Sequence, residues 1–250
     1  MHFTLKNKYL DYYIMTIITL IDNEFTDKHQ GHCYAEIYDI LFESIQHTAQ
    51  NVLEIGIGKG GSILLWKNYF TSANIYGIDI NSKECIRTEM LENLKTDEKV
   101  VLLTSLDAYD KLAINIVHAF SKNYFGVSPL FDVIIDDGPH TVPSQKTFIE
   151  LYSPLLSDNG ILIIEDIQDI NYLEELMESV PDELKKYVHV YDLRDAVGQY
   201  DDILFVINKL SHMKGIDVYN GKITPMSTGK WIHGKWIKTV TRQTRILQMD

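Results

Sequence analysis

Two short motifs concentrate the residues that could do chemistry. Asp136-Asp137-Gly138-Pro139-His140 sets two carboxylates three and four residues from an imidazole, and Glu165-Asp166 adds two more behind another apolar run. Carboxylate oxygens suit hard divalent cations (Mg²⁺, Mn²⁺ or Ca²⁺) rather than zinc. No Lys or Arg lies within either motif. Four acids converging at one edge would repel by several kcal/mol at an intermediate dielectric, so they call for a positive group, and a bound cation is the natural one. An imidazole titrates near working pH, which suits His140 to the role of general base. In the plainer reading one carboxylate, such as Asp136, only caps a helix or serves its own loop.

A second constellation lies earlier, in Leu53–Ser62 (LEIGIGKGGS). Glycines let a backbone approach a ligand closely, and the N-terminus of a following helix offers free N–H groups. Gly56, Gly58 and Gly61 satisfy the G-x-G-x-x-G spacing of dinucleotide sites, with Gly60 and Ser62 beside them. Asp79 stands 23 residues after Gly56, where an acid can hold the two hydroxyls of a ribose. This marks an adenosine-containing cofactor without saying which. Glu54, two residues before Gly56, favours S-adenosylmethionine over NAD: a carboxylate repels a pyrophosphate and attracts a sulfonium and an ammonium. The plainer reading is that the glycines only pack a helix onto a strand.

The elements that must carry these motifs follow from short β-branched runs alternating with longer mixed segments. Strands are expected at 51–56, 74–80, 100–104, 131–137, 160–166, 187–193 and 201–207, and helices at 62–70, 82–94, 109–122, 142–156 and 170–179. Such alternation implies right-handed crossovers and an α/β fold. The last two strands are too close for a helical crossover and should pair antiparallel. The expectation is a Rossmann-like class I methyltransferase fold: a seven-stranded, mainly parallel sheet with an antiparallel final strand. In a parallel sheet all three motifs reach one edge, the carboxyl ends of the strands. Residues 1–50 form a helical lead-in that caps the site, 51–210 the cofactor-binding domain and 211–250 a basic tail. Within the lead-in, Leu10, Ile14, Ile17, Ile18 and Ile21 repeat at helical spacing.

Composition narrows the class. The chain has 250 residues, 45% hydrophobic and 23% charged, the mix of an ordinary globular protein. A net charge of −12 argues against a general nucleic-acid binder. Two cysteines, Cys33 and Cys85, suit a reducing compartment and cannot build a Cys-rich zinc site. The longest apolar run, Tyr12–Ile21, is too short to span a bilayer and lacks a signal-peptide cleavage site, so a cytoplasmic location is expected. The charge is uneven. The tail from Ser211 holds seven Lys or Arg against Asp217 and Asp250, which leaves net −17 on the rest. Its GKWIHGKWIK stretch, with Trp231 and Trp236, reads either as a docking segment or as a solvated tail. The apolar lead-in could bury against a second copy, making a homo-oligomer possible.

The motifs LEIGIGKGGSILLW, IYGIDI, IIDDGPH and IIEDI, with TDKHQGHCY at 26–34, resemble the metal-dependent sugar O-methyltransferases related to macrocin and mycinamicin O-methyltransferases. Cephalosporin hydroxylase-like proteins belong to the same wider group. The resemblance spans roughly Phe25 to Lys209. It implies that Asp137, Glu165 and Asp166 ligate a divalent metal, Mg²⁺ or Mn²⁺, and that His140 is the base. Asp79 would hold the ribose, Glu54 and Gly56–Gly61 the methionine part, and Ser105 and Asp107 the adenine, with Asp136 on the cofactor side. Thr26, Lys28, His32 and Tyr34 would line the mouth of the site, and the substrate would be a small molecule or glycan. This chain departs from the family in having Pro139 where Ser usually precedes the histidine, and Gln199 where a basic residue is usual. Three other functions share some of these features: a Mg²⁺-dependent catechol-type O-methyltransferase, an NAD-dependent oxidoreductase, and a non-catalytic partner of a glycan enzyme.

Overall fold

A computed structural model describes residues 15–94, 96–126 and 128–210. Seven strands form one sheet in the order β3-β2-β1-β4-β5-β7-β6. They are β1 (Asn51–Ile55), β2 (Asn74–Asp79), β3 (Val100–Thr104), β4 (Phe131–Asp136), β5 (Leu156–Ile164), β6 (Val188–Asp192) and β7 (Ile203–Asn208). The first five run parallel, and β7 is antiparallel to both β5 and β6. This is the class I methyltransferase arrangement that the alternating pattern predicts.

The topology fixes where the site must be. Chain order reverses at β1, which pairs with β2 on one side and β4 on the other. Loops leaving β1 and β4 therefore diverge and open a crevice at their carboxyl ends. Registry aligns Ile55 with Asp136, and Asp136 with Ile164, so the glycine loop and both acidic motifs leave the sheet side by side. Because β7 is antiparallel, its amino end, with Asp201 and Asp202 just before it, joins the same edge.

Helices cover both faces and bury two apolar clusters, one on each side of the sheet. In chain order they are α1 (Ile17–Leu20), α2 (Tyr34–Phe42), α3 (Gly61–Tyr69), α4 (Thr88–Leu94), α5 (Lys111–Phe125), α6 (Val142–Tyr152), α7 (Tyr172–Ser179) and α8 (Arg194–Val197). The lead-in is anchored by aromatic packing. Tyr38 and Phe42 of α2 meet Trp66 of α3 edge-on at 5.6 and 6.0 Å between ring centroids. Pairs of this kind contribute about 0.5–1.5 kcal/mol each beyond area burial. They hold the segment before α2 against the open edge of the sheet.

Three elements differ from expectation. The helix expected over 82–94 is a 3₁₀ turn, Lys83–Cys85, followed by α4. Between them Ile86 is extended so that its side chain packs under Gly60, and the Arg87 N–H donates to the Lys59 carbonyl. Of the helix expected from Leu10 to Ile21, the described part is Ile17–Leu20, opened by a Thr16–Thr19 capping box; Leu10 and Ile14 lie outside the described residues. Strand β5 begins at Leu156 rather than 160 and carries a register shift between Leu156 and Ile161, opposite Phe131–Val133. The basic tail 211–250 also lies outside the described residues.

Candidate active site

A cavity of about 810 Å³ opens at the reversal point. Its floor is the glycine loop after β1, and one wall is the end of β2 with Asp79, Ile80 and Asn81. Asp107, Ala108 and Tyr109 form a second wall, Asp137, Gly138 and Pro139 a third, and the lead-in loop 23–27 covers the remaining side. Gly56 and Gly58 have φ of +81° and +47°, a region that only glycine enters freely. A Cβ on Gly56 would lie 1.8 Å from the Asp137 carbonyl oxygen. Gly56 thus lets the loop after β1 touch the loop after β4.

Asp79 shapes that loop directly. Its Oδ2 accepts from the N–H groups of Ile57 and Gly58 at 3.0 Å each, and its Oδ1 from Asn81 N–H at 2.7 Å. Oδ2 thus accepts two N–H groups, while Oδ1 keeps a second lone pair with which Asp79 can accept from a hydroxyl in the cavity. Glu54 has a different place. It is fully buried beneath the loop, accepts from Ser62 Oγ at 2.6 Å, and does not line the cavity. Burial pushes its carboxyl up to about 7 despite nearby Lys28. Gly60 and Gly61 pack against Ile86 and the Phe25 backbone; Ser62 and Asp107 line the cavity, while Ser105 is exposed outside it.

Adjoining the cavity is the carboxylate cluster, and here the expectation of an uncompensated cluster is corrected. Lys28 is not at the mouth. Its side chain is 1% exposed, with Nζ 2.8 Å from Asp137 Oδ2, 2.7 Å from Glu165 Oε2 and 3.3 Å from Glu54 Oε1. Burial alone would lower its pKa, but Asp137, Glu165 and Glu54 outweigh that and hold it well above the usual lysine value. The missing cation is supplied from a segment 109 residues upstream of Asp137. Glu165 also accepts from the Tyr38 hydroxyl. Burial, then repulsion from Asp137, Asp166 and Glu54, raises Glu165 well above the ordinary range against the pull of Lys28.

Asp166 faces two histidines. Its Oδ2 is 3.5 Å from His140 Nε2, and its Oδ1 is 3.5 Å from His32 Nδ1. The Tyr34 hydroxyl donates to Oδ1. His140 Nε2 also lies 3.8 Å from Asp137 Oδ1. Burial and the charge of Asp137 raise the Asp166 pKa. His32 lies at 2.5 Å from Asp202 Oδ1, a fully buried carboxylate. Burial alone would lower the His32 pKa; the Asp202 hydrogen bond and the charges of Asp166, Asp202 and Asp27 instead push it up to about 9. Asp136 stands behind the cluster, accepting from the Tyr109 hydroxyl, and burial pushes it up to about 7. Burial foremost, then neighbouring carboxylates, raises the Tyr34, Tyr38 and Tyr109 hydroxyls, so all three remain donors.

Among the described residues, the non-glycine positions with left-handed backbone are Ser105, His140 and Asp166, with φ of 58°, 53° and 55°. Each follows the carboxyl end of a strand. Strained backbone of this kind costs about 1–3 kcal/mol and persists where surrounding structure imposes it, often at functional sites. The donor set fits a hard divalent cation. Atoms of Asp137, His140 and Asp166 lie within 4.8 Å of one another and are partly exposed. Glu54 Oε1 faces Lys28 Nζ at 3.3 Å, and Asp202 Oδ2 is buried without a hydrogen-bond partner.

Sequence reasoning missed Asp202, Tyr38 and Tyr109, and placed Lys28 too far out. Asp202 carried a readable signal: an antiparallel last strand must present its amino end at the site edge. Gln199 and Pro139 are both exposed, and Pro139 lines the cavity.

Comparison with known proteins finds similar sequences and a similar fold. Residues 53–167 match the family described as a methyltransferase domain. Demethylmacrocin O-methyltransferase of Streptomyces fradiae is 29% identical over 144 residues, 54% of this chain and 32% of that protein. Mycinamicin VI 2''-O-methyltransferase of Micromonospora griseorubida is 28% identical over 143 residues, with the same coverage. An 8-demethyl-8-alpha-L-rhamnosyl tetracenomycin-C 2'-O-methyltransferase of Streptomyces olivaceus is 28% identical over 152 residues, 57% of this chain and 35% of that protein. The chain therefore spans about a third of the length of the curated relatives it matches. In structure it is similar to the MycE methyltransferase of the mycinamycin pathway, solved in complex with Mg and SAH. That likeness has a TM-score of 0.51 at 22% identity, over 75% of this chain and 53% of that one. The chain thus shares the class I methyltransferase fold and is similar in sequence to sugar O-methyltransferases.

Proposed function

We propose that this chain is an S-adenosylmethionine-dependent O-methyltransferase that methylates a sugar hydroxyl with the help of a divalent cation. The observation that carries this reading is the adjacency of two sites. A cavity walled by the glycine loop and Asp79 opens directly onto the Asp137–His140–Asp166 cluster, and Asp137 belongs to both. When bound, S-adenosylmethionine supplies an electrophilic methyl group, and a divalent cation such as Mg²⁺ or Mn²⁺ supplies Lewis acidity for a hydroxyl whose pKa lies far above 7.

The chain's own residues do the rest. Gly56 and Gly58 admit the cofactor backbone, Asp79 accepts from its ribose, and Asp107 closes the adenine end. Asp137 and Asp166 would hold the cation, with Glu165, which accepts from Lys28 and Tyr38, as the third ligand that the resemblance implies. His140 Nε2 faces both Asp137 and Asp166 and takes the proton from the acceptor hydroxyl. Thr26 lines the cavity from the lead-in loop, while His32 and Tyr34 flank the cluster on the side of Asp202. Holding the nucleophilic oxygen, methyl and sulfur in line supplies the remaining acceleration.

The test is mass spectrometry of products after incubation with S-adenosylmethionine, Mg²⁺ and a panel of glycosides and catechols. Gain of one methyl on a glycoside supports the reading. Methylation confined to catechols overturns the sugar assignment, and NADH binding without S-adenosylmethionine binding overturns the cofactor. Among the described residues no helix is long and apolar enough to cross a membrane.

A further inference from the structure

Lys28 and the proposed cation site draw on the same carboxylate. Asp137 Oδ2 accepts from Lys28 Nζ at 2.8 Å, while Asp137 Oδ1 lies 3.8 Å from His140 Nε2, within the Asp137–His140–Asp166 group. Glu165 gives both of its oxygens to the same ammonium, at 2.8 and 2.7 Å, and Glu54 Oε1 stands 3.3 Å from it. Lys28 is held at both ends. Its side chain is 1% exposed, and its carbonyl accepts from the Ala35 N–H in the first turn of α2 at 2.9 Å. The reaction proposed above gives this ammonium no part.

We propose that Lys28 sets the affinity of the site for its divalent cation: a fixed ammonium on one oxygen of Asp137 keeps the cation weakly held and exchangeable. This rests on the cation site proposed above. Two effects act in the same direction. The first is direct repulsion. The two oxygens of Asp137 share one carbon, so an ammonium at Oδ2 and a cation at Oδ1 are close neighbours, and buried charges repel strongly at such separations. Salt screens buried charges much less than exposed ones, so the repulsion persists at ordinary ionic strength. The second is loss of ligand charge. Asp137 and Glu165 belong to the ligand set that the resemblance implies, and Lys28 already neutralises part of the negative charge on both. Removing a buried charge ordinarily damages a site, whereas removing this one should make the site bind its cation better. That sign separates tuning of the metal from a merely structural role.

The experiment measures Mn²⁺ binding to the EDTA-stripped full chain at pH 8, by electron paramagnetic resonance of the free ion, with circular dichroism as the check on folding. Lys28→Met and Lys28→Gln should each bind about one Mn²⁺, as wild type does, and at least about tenfold more tightly. Lys28→Arg keeps the charge and should stay within about threefold of wild type. Mn²⁺ should also raise the melting temperature of Lys28→Gln by more than that of wild type, since tighter binding to the folded state stabilises it further. Glutamine still donates to the carboxylates, so Lys28→Gln carries the test if Lys28→Met does not fold. A folded Lys28→Gln that binds one Mn²⁺ no more tightly than wild type overturns the inference and leaves the proposed reaction standing. Failure of both neutral variants to fold even in Mn²⁺ also overturns it, because a cation in the cluster should then supply the missing charge. No Mn²⁺ bound by wild type or any variant overturns the cation site itself.

Discussion

Replacing Lys28 with methionine tests the electrostatics of the site. The side chain keeps its length and loses its charge, so Asp137, Glu165 and Glu54 are left facing one another around an apolar tip. Breaking a buried ion pair from one side costs about 3–5 kcal/mol, because the remaining charge stays buried and unpaired. At about 2–4 °C per kcal/mol for a domain of this size, the melting temperature should fall by roughly 6–20 °C at pH 8. The loss should depend on pH in a definite direction. Burial raises the folded-state pKa of Glu54 to about 7 and that of Glu165 well above the ordinary range. A raised carboxyl binds its proton in the folded state first, so stability is present at low pH and is lost as pH climbs from the unfolded value toward the folded one. Lys28 itself is charged throughout this range, since its pKa is raised from an already high value. At pH 5 Glu54 is largely protonated, and Glu165 is shifted in the same direction, so Lys28→Met should cost much less than at pH 8. The assay is differential scanning calorimetry in EDTA at both pH values. An equal loss at pH 5 and pH 8, or no loss at pH 8, would refute the reasoning.

Other perturbations follow from the same geometry. Asp137→Asn should lower turnover by more than about 100-fold and abolish its response to Mg²⁺, with S-adenosylmethionine affinity in calorimetry within about twofold. His140→Ala should lower kcat at pH 7 by about 10²–10⁴-fold, the usual worth of a general base; a near-normal kcat would remove that role. Gly56→Ala forces a Cβ to within 1.8 Å of the Asp137 carbonyl oxygen at a φ of +81°. It should destabilise the fold by about 2–4 kcal/mol in urea unfolding and abolish cofactor binding. Metal-free wild type should be more stable at pH 5.5 than at pH 8, because Glu54 and Asp136 both have folded-state values raised to about 7. Chemical denaturation at the two pH values checks the sign.

What was legible in the sequence was local. Periodicity and the glycine loop placed the strands within one to four residues. The short connection before Asp201 signalled the antiparallel pair that turns β7 over. The motif pair around Asp137 and Asp166 landed at one edge because parallel strands must deliver their carboxyl ends together. What was not legible depended on packing across long separations. Lys28 reaches Glu165 only because Tyr38 and Phe42 lock α2 onto Trp66, and nothing in the local pattern of 26–34 encodes that depth. Glu54 was expected to face the cofactor, as its place beside the glycine loop suggests. In a strand, though, side chains alternate between faces, and Glu54 points under the loop to Ser62 and Lys28. The broken helix at Ile86 has the same origin. Helical periodicity runs through it, but the empty space beneath Gly60 claims its side chain.

The central claim is that one edge of the sheet joins a methyl donor to a cation-bound sugar hydroxyl. The measurement that tests it most directly is the rate of methyl transfer to a glycoside acceptor by EDTA-stripped protein, before and after Mg²⁺ or Mn²⁺ is restored. The account predicts negligible transfer without metal and full recovery with it. Equal rates in both states would contradict it.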